Sequence, residues 1–127
     1  MRILMIEDDP VLGDLISELL TDEGQTVHWS RTASAGFSEI VNSPCDVVLL
    51  DLQLGRGRGE FVISRARAAG ALLPPIVIFT AQPVAEVMEA SRSLAPAAIV
   101  RKPCTIDELL GALVVANGTK PNRPQGV

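Results

Sequence analysis

Four consecutive apolar residues in the middle of the chain, Val47-Val48-Leu49-Leu50, constrain the fold more than any other feature. A β-strand with two apolar faces has to be buried on both sides, as happens in parallel sheets that carry helices on each face. Hydrophobic residues make up 47% of the chain, whereas aromatic residues make up only 3%. We therefore expect a core of Ala, Val, Ile and Leu between such a sheet and its helices.

Short apolar runs alternate with helical patterns along the chain. Strands are predicted at residues 3–6, 26–29, 47–50, 76–79 and 98–100. A helix is predicted after each strand. The first runs from Pro10, with Asp9 as N-cap, to Gly24, and the second from the N-cap Thr32 to Asn42. The third runs from Phe61 to near Gly70, the fourth covers residues 83–94, and the fifth runs from the capping pair Thr105 and Glu108 to Asn117. Five strands alternating with five helices predict a doubly wound parallel sheet of the α/β class with right-handed crossovers.

Length and charge limit the functional classes. The 127 residues suffice for one domain, which we predict over residues 1–117 with a mobile tail over residues 118–127. The net charge of -4 provides no field that attracts nucleic acid or an anionic membrane, and no apolar run reaches the roughly 18 residues of a membrane span. No signal peptide is recognisable, and Cys45 and Cys104 match no disulfide framework or metal spacing, so we expect a cytoplasmic protein.

Chemically capable side chains follow most of the predicted strands. Glu7 and Asp8 follow the first strand, Asp51 the third, Thr80 the fourth and Lys102 the fifth. In doubly wound sheets the functional site lies outside the carboxyl ends of the strands. We therefore expect these five side chains to meet at one edge of the sheet.

The chemistry of this set favours phosphoryl transfer. Crowded carboxylates repel one another, so at least one pKa would rise unless a cation shares the site. Mg²⁺ suits such oxygen ligands, because it accepts one or two carboxylates together with waters and phosphoryl oxygens. Asp51 could then attack a phosphorus atom in line, while the metal and Lys102 neutralise the charge on the phosphoryl oxygens.

Structural explanations exist for each residue taken alone. Asp8 or Thr80 could cap a helix, Asp51 could begin a turn and Lys102 could lie in solvent; Asp9 before Pro10 is best explained as a helix cap. Because such residues follow four strands and should meet at one edge of the sheet, a functional site is the better explanation for the whole set.

Other candidate residues are weaker. His28 is the only histidine and lies on a strand, where exposure to solvent is expected. Gly55, Gly57 and Gly59 lack the Gly-Lys-Ser/Thr ending of a phosphate loop and are better explained as turn glycines. Cys104 is expected to be structural.

The ordered set of motifs closely resembles the receiver domain of bacterial response regulators over about residues 1–117. The matching pieces are Ile-Leu-Met-Ile-Glu7-Asp8-Asp9-Pro, Val-Val-Leu-Leu-Asp51-Leu with Gly59 eight residues further on, Ile-Phe-Thr80-Ala81 and Lys102-Pro103. The resemblance implies a flavodoxin-like fold in which the five strands are arranged in the order 2-1-3-4-5. It also implies a phosphoacceptor that signals through a change of conformation.

The resemblance further implies a role for each matching residue. Asp51 would accept the phosphoryl group of a phosphohistidine on a histidine kinase or a histidine phosphotransfer protein. Glu7 and Asp8 would organise Mg²⁺, with Asp8, Asp51 and the main-chain carbonyl of Gln53 as its ligands.

Thr80 would donate a hydrogen bond to the phosphoryl group and move toward it, and Lys102 would pair with a phosphoryl oxygen. The Lys102–Pro103 peptide would be cis. Because such a domain catalyses only its own phosphorylation and dephosphorylation, it would be a switch rather than an enzyme in the usual sense.

Two departures from the family pattern concern the output. Ile99 occupies the position at which receivers commonly have Tyr or Phe, so an aromatic rotamer switch cannot operate, and Gly55 replaces a common Pro. The segment Ala97-Ala98-Ile99 also lacks the charges typical of receivers joined to winged-helix domains. We therefore expect a stand-alone receiver or part of a hybrid kinase, a monomer or weak homodimer that contacts a downstream effector protein and no nucleic acid directly.

Two alternatives remain at this point. A Mg²⁺-dependent phosphoryl enzyme with an aspartyl nucleophile usually has a second acid two residues further on, where this chain has Gln53. A pseudo-receiver acting as a constitutive interaction module would be expected to lose Asp51, Lys102 or the acidic pair, and only Ile99 favours it.

Overall fold

Seven strands and five helices make up the part of the chain that the structure, a computed structural model, describes: residues 1–55 and 57–119. The strands are β1 (Arg2–Ile6), β2 (Thr26–Ser30), β3 (Val47–Leu50), β4 (Gln53–Leu54), β5 (Gly57–Arg58), β6 (Ile76–Thr80) and β7 (Ala98–Arg101). The helices are α1 (Pro10–Asp22), α2 (Ala33–Asn42), α3 (Glu60–Ala68), α4 (Val84–Leu94) and α5 (Ile106–Gly118). Among these helices none is long and apolar enough to cross a membrane.

The main sheet has five strands in the order β2-β1-β3-β6-β7. All four pairings are parallel. Since β6 and β7 are the fourth and fifth strands of this sheet, the predicted flavodoxin-like order 2-1-3-4-5 is confirmed. The carboxyl ends of all five strands consequently lie at one edge, which is the edge expected to hold the site.

Helices cover both faces of the sheet. On one face α2, α3 and α4 pack against the side chains of Val48 and Leu50, and on the other α1 and α5 pack against Val47 and Leu49. The four β3 side chains therefore alternate between two cores, and none is more than 1% exposed. This double burial is what the uninterrupted apolar run predicted.

The predicted helix caps are present. Asp9 caps α1 by accepting hydrogen bonds from the backbone N–H groups of Val11 and Leu12. Thr32 caps α2, and Thr105 caps α5 by accepting from the N–H of Glu108. Each side chain satisfies helix-terminal donors that have no partner within the helix.

The structure differs from the sequence prediction in several local features, three of which concern the loop after β3, the end of β6 and the end of α5. The antiparallel pair β4 and β5 lies where the sequence analysis placed only turn glycines, and Gly55, directly after β4, has a positive φ of 58°. The strand β6 includes Thr80, whose partner in the ladder is Arg101. Helix α5 extends to Gly118, one residue into the predicted tail; residues 120–127 of that tail lie outside the described residues.

Candidate functional site

The acidic pair lies directly after β1. Glu7 extends the β1–β2 pairing by donating its N–H to the carbonyl oxygen of Ser30 at 3.0 Å, and its side chain is buried, with 1% of the residue exposed. Asp8 is exposed and accepts a hydrogen bond from the N–H of Gly55 at 2.7 Å. The chain thus presents one buried and one exposed carboxylate at the carboxyl edge of the sheet.

Asp51 lies at the centre of that edge. Its N–H donates to the carbonyl oxygen of Ile6 at 3.1 Å, which ties the residue to the end of β1. The carboxylate accepts from the N–H of Gln53 at 3.1 Å through Oδ1, and only 7% of the residue is exposed. Asp51 is thus a largely buried carboxylate at the edge where doubly wound sheets bind their ligands.

Lys102 reaches into the cluster from the end of β7. Its Nζ donates to Oε1 of Glu7 at 2.6 Å and to Oδ2 of Asp51 at 3.2 Å, and it lies 4.8 Å from the centre of the Phe79 ring. Its backbone N–H donates to the carbonyl oxygen of Thr80 at 3.0 Å, and the Lys102–Pro103 peptide is cis. One ammonium group therefore joins two carboxylates that follow different strands.

The charges in this cluster perturb one another. Burial raises the pKa of Glu7 to about 7; the hydrogen bond from Lys102 opposes this shift and the neighbouring Asp51 carboxylate adds to it. For Lys102, burial lowers the pKa of the ammonium, but Glu7 and Asp51 outweigh burial and the pKa is raised. These interactions keep the Lys102 ammonium charged, but its single positive charge does not balance the surrounding carboxylates.

The donor set fits a hard divalent cation. Ligand oxygens of Glu7, Asp8 and Asp51 all lie within 4.8 Å of one another, and carboxylate oxygens are what Mg²⁺ prefers. Of the predicted ligands, Gln53 lies two residues after Asp51, with its N–H bonded to that carboxylate. Coordination by the Gln53 carbonyl stays a prediction.

Thr80 completes the group. It is fully buried, and its hydroxyl accepts a hydrogen bond from the N–H of Gln82 at 3.1 Å. Asp51, Thr80 and Lys102 line a cavity of about 160 Å³ together with Gln53 and Gln82. The structure thus brings together the five side chains that were predicted to meet at the carboxyl edge of the sheet.

Sequence reasoning missed two residues at this edge, Gln82 and Trp29, and did not foresee the packing of a third. Gln82 donates from Nε2 to Oε1 of Gln53 at 2.6 Å beside the cavity, and Trp29 donates from its indole nitrogen to the carbonyl oxygen of Glu7 at 2.9 Å. Gly59, already noted as a turn glycine, packs so closely that a Cβ there would lie 3.0 Å from the carbonyl carbon of Asp51. The sequence offered only positional signals for these residues: Gln82 lies two residues after Thr80, and Gly59 lies eight residues after Asp51.

The remaining candidates are not among the clustered side chains. His28 is exposed on β2, and Cys104 is half-buried, with burial as the main cause of the raised pKa of its thiol. Ile99 is 45% exposed on β7. Arg56, between Gly55 and Gly57, lies outside the described residues.

A larger cavity lies elsewhere in the described part of the chain. It measures about 430 Å³ and is lined by Arg2 and by residues 40–46 and 71–75. Arg2 is the first residue of β1, and the other two segments lie before β3 and β6, so the cavity belongs to the amino edge of the sheet. Because it contains none of the clustered groups, size alone is a poor guide to the site in this fold.

Comparison with known proteins identifies one family. The response regulator receiver domain matches residues 3–114. Similar curated proteins include the response regulator protein PmrA of Pseudomonas aeruginosa, 35% identical over 109 residues, which are 86% of this chain and 49% of PmrA. The transcriptional regulatory protein DltR of Streptococcus agalactiae is 33% identical over 113 residues, which are 89% of this chain and 50% of DltR.

A solved structure agrees with these relatives. The non-phosphorylated receiver domain of HemR from Leptospira biflexa is 29% identical, with a TM-score of 0.78 over 96% of this chain and 98% of that domain. The chain spans about half the length of the curated relatives PmrA and DltR.

Proposed function

The chain belongs to the response regulator receiver domains, and we propose that it acts as a phosphorylation switch in which Asp51 accepts a phosphoryl group from a phosphohistidine. One observation carries this proposal: Asp51 shares its site with two further carboxylates, a buried hydroxyl and an ammonium. In the described residues no other group of three acidic, cysteine or histidine side chains is close enough to hold a metal ion.

Phosphoryl transfer needs an oxygen nucleophile and stabilisation of the charge on the phosphoryl oxygens. An oxygen of the Asp51 carboxylate forms the new P–O bond, the P–N bond to the donor imidazole breaks, and the imidazole leaves with the bonding electrons and gains a proton. When Mg²⁺ is bound, it neutralises negative charge on the carboxylates and the phosphoryl oxygens. Glu7 and Asp8, with Asp51 and the main-chain carbonyl of Gln53, would hold it.

Lys102 and Thr80 respond to the new group. Nζ of Lys102 now lies 3.2 Å from the Asp51 carboxylate, so a phosphoryl group on that carboxylate brings a stronger anion within its reach. The buried Thr80 hydroxyl lies on the same cavity and can donate to another phosphoryl oxygen. Movement of these two side chains would transmit the phosphorylation state to the ends of β6 and β7.

The switch has two kinds of protein partner in this proposal. A histidine kinase or histidine phosphotransfer protein supplies the phosphoryl group in the cytoplasm, and a downstream effector protein reads the changed surface. The domain catalyses only its own phosphorylation and hydrolysis. PmrA is named as a response regulator and DltR as a transcriptional regulatory protein, so a downstream effector in gene regulation would be consistent with these relatives. In this proposal the receiver domain itself does not contact nucleic acid.

One observation favours a second candidate, the pseudo-receiver. Ile99 is 45% exposed at the place where receivers commonly carry an aromatic ring, so any output has to use other groups. The phosphoryl enzyme is disfavoured, because Gln53, at the place of its second acid, is paired with the equally neutral Gln82.

Labelling with a small phosphodonor and a phosphohistidine donor tests the proposal. The wild-type chain, incubated with Mg²⁺ and acetyl phosphate, is expected to gain the mass of one phosphoryl group, and Asp51→Asn should gain none. EDTA should prevent the gain. Absence of labelling from acetyl phosphate and from phosphorylated kinase alike would favour the pseudo-receiver.

A further inference from the structure

Trp29, the only tryptophan of the chain, lies next to the acidic pair. It is on β2, and its indole Nε1 donates a hydrogen bond to the main-chain carbonyl oxygen of Glu7 at 2.9 Å. One side of the ring packs on Gly13 of α1 so closely that a Cβ there would lie 2.8 Å from Nε1. The guanidinium of Arg31 lies 4.3 Å from the ring centre. The ring is therefore half-buried between these neighbours, and its N–H is directed at the Glu7 carbonyl.

The accepting carbonyl belongs to the peptide that joins Glu7 to Asp8. The paired register of β1 and β2 ends at Ile6 and Ser30, and the N–H of Glu7 still uses the Ser30 carbonyl. The next backbone group, the carbonyl of Glu7, accepts its hydrogen bond from the Trp29 indole instead of from a neighbouring strand. Because one peptide plane orients the backbone on both sides of it, the indole bond acts on the positions of both carboxylates.

We propose that Trp29 is a positioning residue for the metal site. Its N–H holds the Glu7–Asp8 peptide in the orientation that directs the buried Glu7 carboxylate to Lys102 and leaves the Asp8 carboxylate beside Asp51. This inference rests on the proposed binding of Mg²⁺ at the acidic cluster. Without the bond, part of the free energy of binding Mg²⁺ is used to order the peptide, so affinity falls while the fold remains.

A single-atom replacement provides the sharpest test. Since the chain has one tryptophan, incorporation of benzothienylalanine replaces only this N–H by sulfur and preserves the size of the ring. We expect the Mg²⁺ dissociation constant, measured by calorimetry with MgCl₂, to rise about threefold to tenfold, the range for one lost hydrogen bond. Trp29→Phe, which also keeps a ring but no N–H, should shift the constant in the same direction. His28→Ala, an exposed substitution on the same strand, is the matched control and should leave it unchanged.

Two further readouts separate positioning from general stability. The urea midpoint of the metal-free protein gives the cost to the fold, and the acetyl phosphate labelling rate is measured as a function of MgCl₂ concentration. Positioning predicts a higher half-saturating Mg²⁺ concentration, with the maximal rate within about twofold of wild type at saturation, since the bond acts on affinity rather than on the reacting groups.

The possible results decide between the two proposals. Equal Mg²⁺ affinity of wild type, the benzothienylalanine protein and Trp29→Phe would overturn the positioning role and leave the proposed function intact. Failure of the wild type itself to bind Mg²⁺ would overturn the proposed function and this inference with it. Weaker binding in both altered proteins, with His28→Ala unchanged, supports the role of Trp29.

Discussion

Gly59 packs against the backbone of Asp51, the proposed phosphoacceptor, and Gly59→Ala is expected to damage the site from outside it. The added methyl would lie 3.0 Å from the carbonyl carbon of Asp51 and 3.1 Å from Cα of Leu52, and closer still to the Asp51 carbonyl oxygen. Carbon atoms in contact prefer about 3.5–4.0 Å. The backbone after β3 must therefore move by at least about 0.5 Å, and the N–H of Gly59, bonded to the Leu52 carbonyl at 2.8 Å, must move with it.

This displacement gives the expected magnitude. Extra methyl groups in packed sites usually cost about 1–3 kcal/mol, and the upper part of that range applies because the neighbours are backbone atoms that no rotamer change can move. We expect Gly59→Ala to lower the free energy of unfolding by about 2–3 kcal/mol. Because a shift of about 1 Å at reacting groups can reduce a rate about a hundredfold, labelling of Asp51 should slow by at least about tenfold.

Gly57→Ala is the matched control in the same loop. A Cβ at Gly57 would meet only the Leu54 carbonyl oxygen, at an ordinary 3.5 Å. Its free energy of unfolding should stay within about 0.5 kcal/mol of wild type, with an unchanged labelling rate. Urea unfolding followed by circular dichroism and timed labelling by intact mass measure both quantities. If Gly59→Ala matches Gly57→Ala in both assays, the packing argument is wrong.

Two further predictions concern the charges of the cluster. Because the pKa of Glu7 is raised from 4.5 to about 7, the folded metal-free protein holds an extra proton between these values. As the pH rises from 4.5 to 7, the free energy of unfolding should therefore fall by about 3 kcal/mol more in wild type than in Glu7→Gln. Urea unfolding in EDTA measures this difference. Lys102→Met should bind Mg²⁺ about tenfold more tightly in calorimetry, since the ammonium competes with the cation for the carboxylates, yet should label more slowly.

Each of these has a contradicting result. Parallel stability curves for wild type and Glu7→Gln between pH 4.5 and 7 would mean that Glu7 titrates near its ordinary pKa. Unchanged or weaker Mg²⁺ binding by Lys102→Met would mean that the ammonium does not act on the cation site.

Much of this architecture could be predicted because it depends on local patterns. The apolar run over Val47–Leu50 requires burial on both faces, and alternation of strands with helices then leaves few topologies for the sheet. The residues after the strands inherit their common edge from that topology alone. For this reason Asp51, Thr80 and Lys102 could be grouped before any distance was known.

The details that escaped prediction depend on contacts between distant segments. The bond from Trp29 to the Glu7 carbonyl needs the pairing of β1 with β2 and the absence of a side chain at Gly13, and no local pattern encodes such a combination. The pairing of Gln53 with Gln82 likewise depends on the distance between two loops. The β4–β5 pair is only two residues long on each strand, too short for any periodicity.

Chemical trapping of the phosphorylated residue tests the central claim most directly. Borohydride reduces an acyl phosphate on an aspartate to homoserine, which peptide mass spectrometry locates at a single position. After treatment of the wild-type chain with Mg²⁺ and a phosphodonor, homoserine is expected at residue 51 and at no other aspartate. Homoserine at Asp8 or Asp9, or acid-stable phosphate on a hydroxyl such as that of Thr80, would contradict the assignment of Asp51 as the phosphoacceptor.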